Sequence, residues 1–171
     1  MTASEAYNYI AGILPDFQAK GEALYRQLNA ANVLRSQLRA LDQDTEEISS
    51  IYQSIQEDLN QWLSIKNKLE PVLTFFGYTG LGVDPLTLLA IGGSLIAIAS
   101  LLVAFYNSNR IDQHSEAIKR IATYVNLSPE DQAIVDNATT SSFFDFSAFG
   151  NIGKYLLIGG ALYLAVLMFR R

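Results

Sequence analysis

The sequence predicts an all-α integral membrane protein in which a long helical, coiled-coil stalk precedes a two-helix transmembrane hairpin. The first observation is that residues 85–106 and 155–169 are largely apolar and contain no charged side chain. At 1.5 Å per helical residue, the first stretch of about 22 residues covers roughly 33 Å, enough to cross a hydrocarbon core of about 30 Å. The second observation is an apolar repeat at coiled-coil spacing over residues 24–69. We therefore expect contact with a lipid bilayer, two spans, and both termini on the same side.

The composition excludes several function classes. The 17 acidic residues outnumber the 12 Lys and Arg and give a net charge of −5, which argues against a nucleic-acid surface. The chain has no cysteine, so it cannot form a disulfide, a thiolate nucleophile or a Cys-ligated metal site. We expect a solvated side chain for His114, the only histidine, and solubilising roles for Glu57 and Asp58. We expect no enzyme activity, metal, cofactor or small-molecule substrate.

The N-terminal part is predicted to be a short amphipathic helix over residues 1–15, followed by a helical stalk over residues 16–74. Pro15-Asp16 is suited to begin the stalk helix, and Pro71 to end it near Glu70. Alternate steps of three and four from Leu24 to Leu69 give fourteen positions, of which eleven are apolar. The predicted seam consists of Leu24, Ala31, Leu34, Leu38, Leu41, Ile48, Tyr52, Ile55, Leu59, Trp62 and Leu69.

The seam is compatible with two arrangements. A continuous rod would need its partner in another chain, either a second copy or another membrane or capsid protein. A helical hairpin of residues 17–41 against 45–70 would bury the same stripe within one chain. The Asp44-to-Glu47 spacing resembles a helix N-cap, but no Gly or Pro marks a turn, so we favour the rod and keep the hairpin as the alternative.

The membrane part begins after a joint over residues 75–84, where three glycines oppose a helix. Asp84-Pro85 then supplies a cap and a first-turn proline for a span over residues 85–106. Small residues share one face of each span and are predicted to let helices approach closely, either within the chain or between copies. These are Gly93, Ala97, Ser100 and Ala104 in the first span, and Gly160, Ala161 and Ala165 in the second.

The connecting segment, residues 107–151, is predicted to form a helical cap. Isoleucines from Ile111 to Ile121 recur at helical spacing, and Ser128-Pro129 begins a second helix. Four phenylalanines within residues 143–149 suit either an interfacial aromatic foot or a contact with the cap helices. Residues 152–171 form the second span and a basic C-terminus, and the basic residues flanking the spans leave the orientation open.

This layout resembles that of the small membrane proteins of tailless, membrane-containing bacteriophage virions. The resemblance rests on three features: the helical stalk, the spans that contain glycines, and the short last span that ends in Arg170-Arg171. The resemblance implies a role in tying an internal virion membrane to the capsid without catalysis, and no diagnostic motif allows residue roles to be transferred.

Two functional hypotheses follow. The first is a non-catalytic structural membrane protein whose stalk binds a partner or self-assembles. The second is an oligomeric, membrane-permeabilising protein, such as a holin or small pore former, assembled through the stripe from Gly93 to Ala104. The spans contain no Asp, Glu, Lys, Arg or His, which argues against a transporter.

Overall fold

The computed structural model describes the backbone of residues 3–78, 85–108 and 110–140, and the side chains of residues 5–72, 92–108 and 110–140. These residues form no strand, which confirms the all-α class. The helices in this part of the chain are α1 (Ala3–Ala40), α2 (Glu46–Tyr78), α3 (Pro85–Ser108), α4 (Ile111–Ala122) and α5 (Pro129–Thr139). They divide into two compact units. One contains the start of α1, the end of α2 and α3; the other, which we call the bundle, contains residues 16–62, α4 and α5.

The stalk is a hairpin, and the favoured prediction of a continuous rod is wrong. Asp42 adopts a left-handed conformation with φ of 53°. The Asp42 N–H donates to the Arg39 carbonyl at 3.1 Å, and the Gln43 N–H donates to the Leu38 carbonyl at 2.9 Å. This is the Schellman pattern that ends a helix, here formed around an aspartate because Asp tolerates the left-handed region better than most residues. The Asp44 carboxylate then accepts the Glu46 N–H at 2.8 Å where α2 begins.

Pro15 and Pro71 lie inside helices, so the predicted helix boundaries at these two positions are also wrong. Pro15 lies within α1, and Pro71 lies within α2, which continues to Tyr78 and so includes the start of the predicted joint. A proline inside a helix removes one backbone hydrogen bond. Burial of neighbouring side chains offsets this loss, since Ile13 and Phe17 on either side of Pro15 are both buried. Residues 3–15 therefore belong to α1 and do not form a separate helix.

The bundle is an up-and-down arrangement of four helical segments, established by the contacts between neighbours. Phe17 stacks on Trp62 with ring centroids 5.3 Å apart, so α1 and α2 are antiparallel on either side of the turn at Asp42. α4 runs antiparallel to α2, because Asp58 contacts Arg110 and Glu47 contacts Arg120. α5 runs antiparallel to α1, because Gln37 contacts Asp131 and Arg26 contacts Asn137. Ser115 and Thr139 join α4 to α5.

Apolar side chains from all four segments form the core of the bundle. The predicted amphipathic pattern of α4 is confirmed, since Ile111, Ile118 and Ile121 are all buried. The predicted start of α5 is also confirmed: the Ser128 hydroxyl accepts the Asp131 N–H at 3.1 Å, and Pro129 occupies the first turn. The sequence did not indicate that α4 and α5 would pack on the stalk helices.

The first unit contains α3. By length and composition alone, one helical stretch among the described residues could cross a membrane; it begins at Gly92 of α3 and runs to Ala122. The larger side chains of α3 form a buried face, whose members include Leu95, Ile98, Leu102 and Phe105. Residues at steps of three and four form such a face on an α-helix. The predicted second span, the aromatic foot and residues 79–84 of the joint lie outside the described residues.

Candidate functional site: a buried polar layer in the bundle

The most unusual chemistry in the bundle is a buried carboxylate on α2 that binds the beginning of α4. Asp58 is 4 % exposed. Its Oδ2 atom lies 3.0 Å from Nε2 of His114, which is also 4 % exposed. Its Oδ1 atom accepts a hydrogen bond from Nη2 of Arg110 at 2.8 Å. The prediction that His114 and Asp58 are solvated is therefore wrong.

Asp58 also supplies the N-terminal cap that α4 lacks in its own sequence. The capping position is Arg110, whose side chain makes no capping hydrogen bond. Its backbone N–H instead donates to Oδ2 of Asp58 at 3.3 Å. A helix N-terminus has unpaired N–H groups and a partial positive charge, so an anion from a neighbouring helix stabilises it. One carboxylate thus fixes the axial position of α4 against α2.

The surroundings of Asp58 keep its carboxyl group ionised. Burial acts to raise its pKa, but hydrogen bonds from His114 and Arg110 outweigh burial and lower the pKa below its usual value. On the other side of the pair, hydrogen bonding to Asp58 raises the pKa of the Arg110 guanidinium. Opposite charges and donated hydrogen bonds favour the charged form of each group. The pair is therefore ionic at neutral pH.

Polar groups from the other two helices lie at the same level as Asp58 and His114. The fully buried Gln27 of α1 donates from Nε2 to the Ile111 carbonyl at 2.9 Å, while its Oε1 atom has no hydrogen-bond partner. Ser115 of α4 donates from Oγ to the Thr139 carbonyl of α5 at 3.2 Å. We call Gln27, Asp58, His114, Ser115 and Thr139 the polar layer; each of the four helical segments contributes to it.

An aromatic contact lies beside the polar layer, between α1 and α2. Trp62 donates its indole N–H to the Phe17 carbonyl at 2.7 Å, and Tyr25 contacts the indole edge-on. The ring lies directly over Gly21: a Cβ at that position would be 2.2 Å from two ring carbons. Gly21 is therefore required for its lack of a side chain rather than for a special backbone conformation.

The geometry of the polar layer suits fixing the helices in register. Asp58 and His114 are both buried within the bundle. Among the described residues, no group of three or more His, Cys, Asp or Glu side chains could hold a metal ion. Buried polar groups that satisfy each other penalise alternative packings, since any shift leaves them unpaired.

The structure places most of the predicted seam inside the chain. Leu24, Ala31, Leu34, Ile48 and Ile55 are fully buried, and further seam members are buried as well: Leu38, Leu59, Trp62 and Leu69. Tyr52 is half-buried, with Arg35 placed over its ring. Leu41 is different: it is 53 % exposed at the turn between α1 and α2.

The predicted small-residue stripe of α3 lies on the opposite side of the helix from its buried face. Ala97 and Ala104 are exposed, and Gly93 and Ser100 are half-buried. The Ser100 hydroxyl donates to the Ile96 carbonyl at 2.9 Å, so this polar group is satisfied within the helix itself. Gly160, Ala161 and Ala165 of the second predicted stripe lie outside the described residues.

Sequence reasoning missed the polar layer because its members are far apart along the chain. Asp58 and His114 are separated by 56 positions, and Gln27 and Ile111 by 84. One local signal was present: Gln27 occupies a position of the three-and-four apolar repeat, where a polar residue is expected to be buried.

Comparison of the chain with protein-family models, curated proteins and solved structures found no match.

Proposed function

We propose that the chain is a non-catalytic structural membrane protein, anchored by α3, whose bundle is a rigid aqueous module that binds another protein. The observation that supports this most is the joining of a helix of membrane-spanning length to a bundle whose seam is buried within the same chain. An internally closed bundle does not need a second copy to cover its core. The module therefore offers its surface, not its seam, to a partner.

The role implied by the sequence resemblance, a link between a virion membrane and its capsid, is one instance of this function. It requires an anchor and a module that keeps its shape under load. The polar layer supports the second requirement, because the Asp58 contacts hold α4 in one position along α2.

The proposal is tested by liposome flotation of the full chain after a carbonate wash. We expect the protein to float with the lipid. Because the chain has no cysteine, single-cysteine variants then report depth. Ala97→Cys should be protected from a membrane-impermeant maleimide until detergent is added, whereas Asn29→Cys, on an exposed position of the bundle, should react in both conditions. A chain that stays out of the lipid fraction and reacts fully at Ala97→Cys would make α3 the core helix of a soluble protein.

A second candidate, an oligomeric membrane-permeabilising protein, is favoured by one observation: the small-residue stripe is the exposed side of α3. Small side chains allow close helix approach in lipid. This candidate predicts that the full chain releases dye from liposomes and that Ala97→Leu abolishes release. Ala97→Ser keeps the side chain small and should retain it. Equal release by both variants, or no release by the unmodified chain, would count against a pore.

A further inference from the structure

The antiparallel contacts within the bundle place its connections at opposite ends. Residues 16 and 62 lie side by side through Phe17 and Trp62, and α4 begins and α5 ends towards this same end. We call it the proximal end. The α1–α2 turn and the α4–α5 loop lie together at the other end, because Glu47 contacts Arg120 and Gln37 contacts Asp131. We call residues 41–46 and 123–128 the distal loops.

The distal loops carry exposed apolar side chains that the fold does not use. Leu41 is 53 % exposed and Tyr124 is 77 % exposed. They are two of the three large hydrophobic side chains exposed among the described residues, and the third, Tyr25, contacts Trp62 on the side of the bundle. A single exposed apolar residue needs no explanation, whereas exposed apolar residues that share one end of a fold are candidates for a contact surface.

Neither side chain is needed for the turn that presents it. The α1–α2 turn is held by backbone hydrogen bonds from Asp42 and Gln43, and the α4 end by those from Thr123 and Tyr124 to carbonyls of the last turn. Aromatic residues are enriched at the centres of protein interfaces. Tyr124 is therefore a residue type that such centres favour, and Leu41 adds apolar surface at the same end of the bundle.

The charge around Leu41 and Tyr124 selects the kind of partner. Asp42, Asp44 and Glu46 follow Leu41 in the chain, against one basic residue, Arg39, in the last turn of α1; the next acid, Glu47, is paired with Arg120. An anionic lipid surface or a nucleic acid would be repelled by this rim. A second copy meeting end to end would bring acidic rims together, which is also unfavourable.

We infer that the distal loops form a docking surface for a different protein, one that presents an apolar pocket rimmed by Lys and Arg. Leu41 and Tyr124 fill the pocket, and the acidic side chains of the α1–α2 turn meet the basic rim. This inference rests on the proposed function in one respect only: it identifies the surface that the anchored module offers. The docking surface itself does not depend on whether α3 crosses a membrane.

The test uses a photo-crosslinker attached to single cysteines in the full chain, introduced into the cells that naturally make it. Gln43→Cys and Asn126→Cys are exposed positions in the two distal loops and leave both apolar anchors intact. Asn29→Cys, exposed on the side of α1, is the matched control position. We expect both distal probes to crosslink the same protein, and the control position to give none of that product. Mass spectrometry should place the crosslink beside Lys or Arg residues of the partner.

Two further variants decide whether the stated chemistry is responsible. Leu41→Ser combined with Tyr124→Ser should lower the crosslink yield by roughly tenfold or more, as expected for truncated interface anchors, and Tyr25→Ser should leave the yield unchanged. Glu46→Lys, which reverses one exposed acidic charge and leaves the left-handed position at Asp42 intact, should lower the yield and weaken its dependence on salt. The inference is overturned if the distal probes crosslink lipid, a second copy of the chain, or the same set of proteins as the control position. If flotation fails but the distal crosslink persists, the membrane proposal alone is wrong.

Discussion

Removing the Asp58 carboxylate is the most informative perturbation of the bundle. Asp58→Ala deletes the hydrogen bond to buried His114, the ion pair with Arg110 and the cap of α4. The first loss costs about 1–3 kcal/mol because it leaves a buried polar group unpaired. The ion pair contributes only about 0–1 kcal/mol, because the Arg110 side chain is 39 % exposed and its charge is screened by water. Loss of the cap costs about 1 kcal/mol. We expect the free energy of unfolding of the bundle to fall by roughly 3 kcal/mol.

The chain provides its own probe for this measurement. Trp62 is the only tryptophan and lies in the bundle against Phe17. Urea unfolding of the full chain in mild detergent, followed by tryptophan fluorescence, therefore reports the bundle rather than α3. The matched control is Glu57→Ala: this carboxylate also pairs with Arg110, at 3.3 Å, but is 71 % exposed. We expect the control to change the free energy of unfolding by less than about 0.5 kcal/mol. Equal effects of the two substitutions would refute the assignment of Asp58 as the group that fixes α4.

The same site gives a pH dependence with a defined sign. The pKa of Asp58 is lower in the folded bundle than in the unfolded chain, so Asp58 stabilises the fold at pH values above the unfolded pKa of about 3.9. This stabilisation is lost as the pH falls through the lower folded pKa. We expect Asp58 to contribute no pH dependence between about pH 6 and 8, and the difference in unfolding free energy between wild type and Asp58→Asn to shrink below about pH 4. A difference that stays constant down to pH 2 would contradict an ionised Asp58.

Further predictions concern packing and backbone conformation in the two units. Gly21→Ala should destabilise the bundle by about 1–2 kcal/mol and shift Trp62 emission, because the overpacking cost exceeds the gain in helix propensity. Gly12→Ala, where an added Cβ meets nothing within 4 Å, should be neutral or stabilising by up to about 1 kcal/mol, and an equal loss in both variants would contradict the packing argument. Asp42→Val should cost about 1–2 kcal/mol because a β-branched residue is strained at positive φ, while Asp42→Gly should cost nothing; denaturant midpoints separate the two. Gln27→Met should change the free energy of unfolding by less than about 1 kcal/mol, because removal of an unpaired buried oxygen offsets loss of the hydrogen bond to the Ile111 carbonyl; a loss above about 3 kcal/mol would show that both polar atoms of Gln27 are hydrogen-bonded.

The parts of the fold that were predictable are those set by local signals. Pro85 begins α3 because proline suits the first helical turn, and Ser128-Pro129 begins α5 because a cap and a first-turn proline act within one helical turn. Most seam residues were identified correctly as buried positions, with Leu41 and Tyr52 as the exceptions, but the pattern could not specify what covers them. A rod and a hairpin bury the same stripe, since periodicity reports which face is covered and not by which chain.

The incorrect predictions have a different physical origin. Asp42 ends α1 in a conformation that glycine usually adopts, and nothing in the neighbouring residues distinguishes this aspartate from the other acids. Pro15 and Pro71 remain inside helices because tertiary burial outweighs the local penalty. Asp58 and His114 look like solvated residues on their own helices; they become buried only when α2 and α4 meet, and a single sequence does not contain that pairing.

The arrangement of chain connections in the bundle has a mechanical consequence. The bundle consists of two antiparallel helix pairs, each closed by a loop at the distal end, with both ends of each pair leaving at the proximal end. Tension between a distal loop and the proximal end would therefore act along the helix axes, in shear. It would have to break all the contacts between the two helix pairs at the same time. The ion pair of Asp58 with Arg110 and the hydrogen bond of Gln37 with Asp131 lie at different positions along the helix axes and would oppose this sliding. Pulling the two helices of one pair apart at the proximal end would instead break contacts one at a time, starting with Phe17 and Trp62. The bundle should therefore resist force along the helix axes far better than force across them.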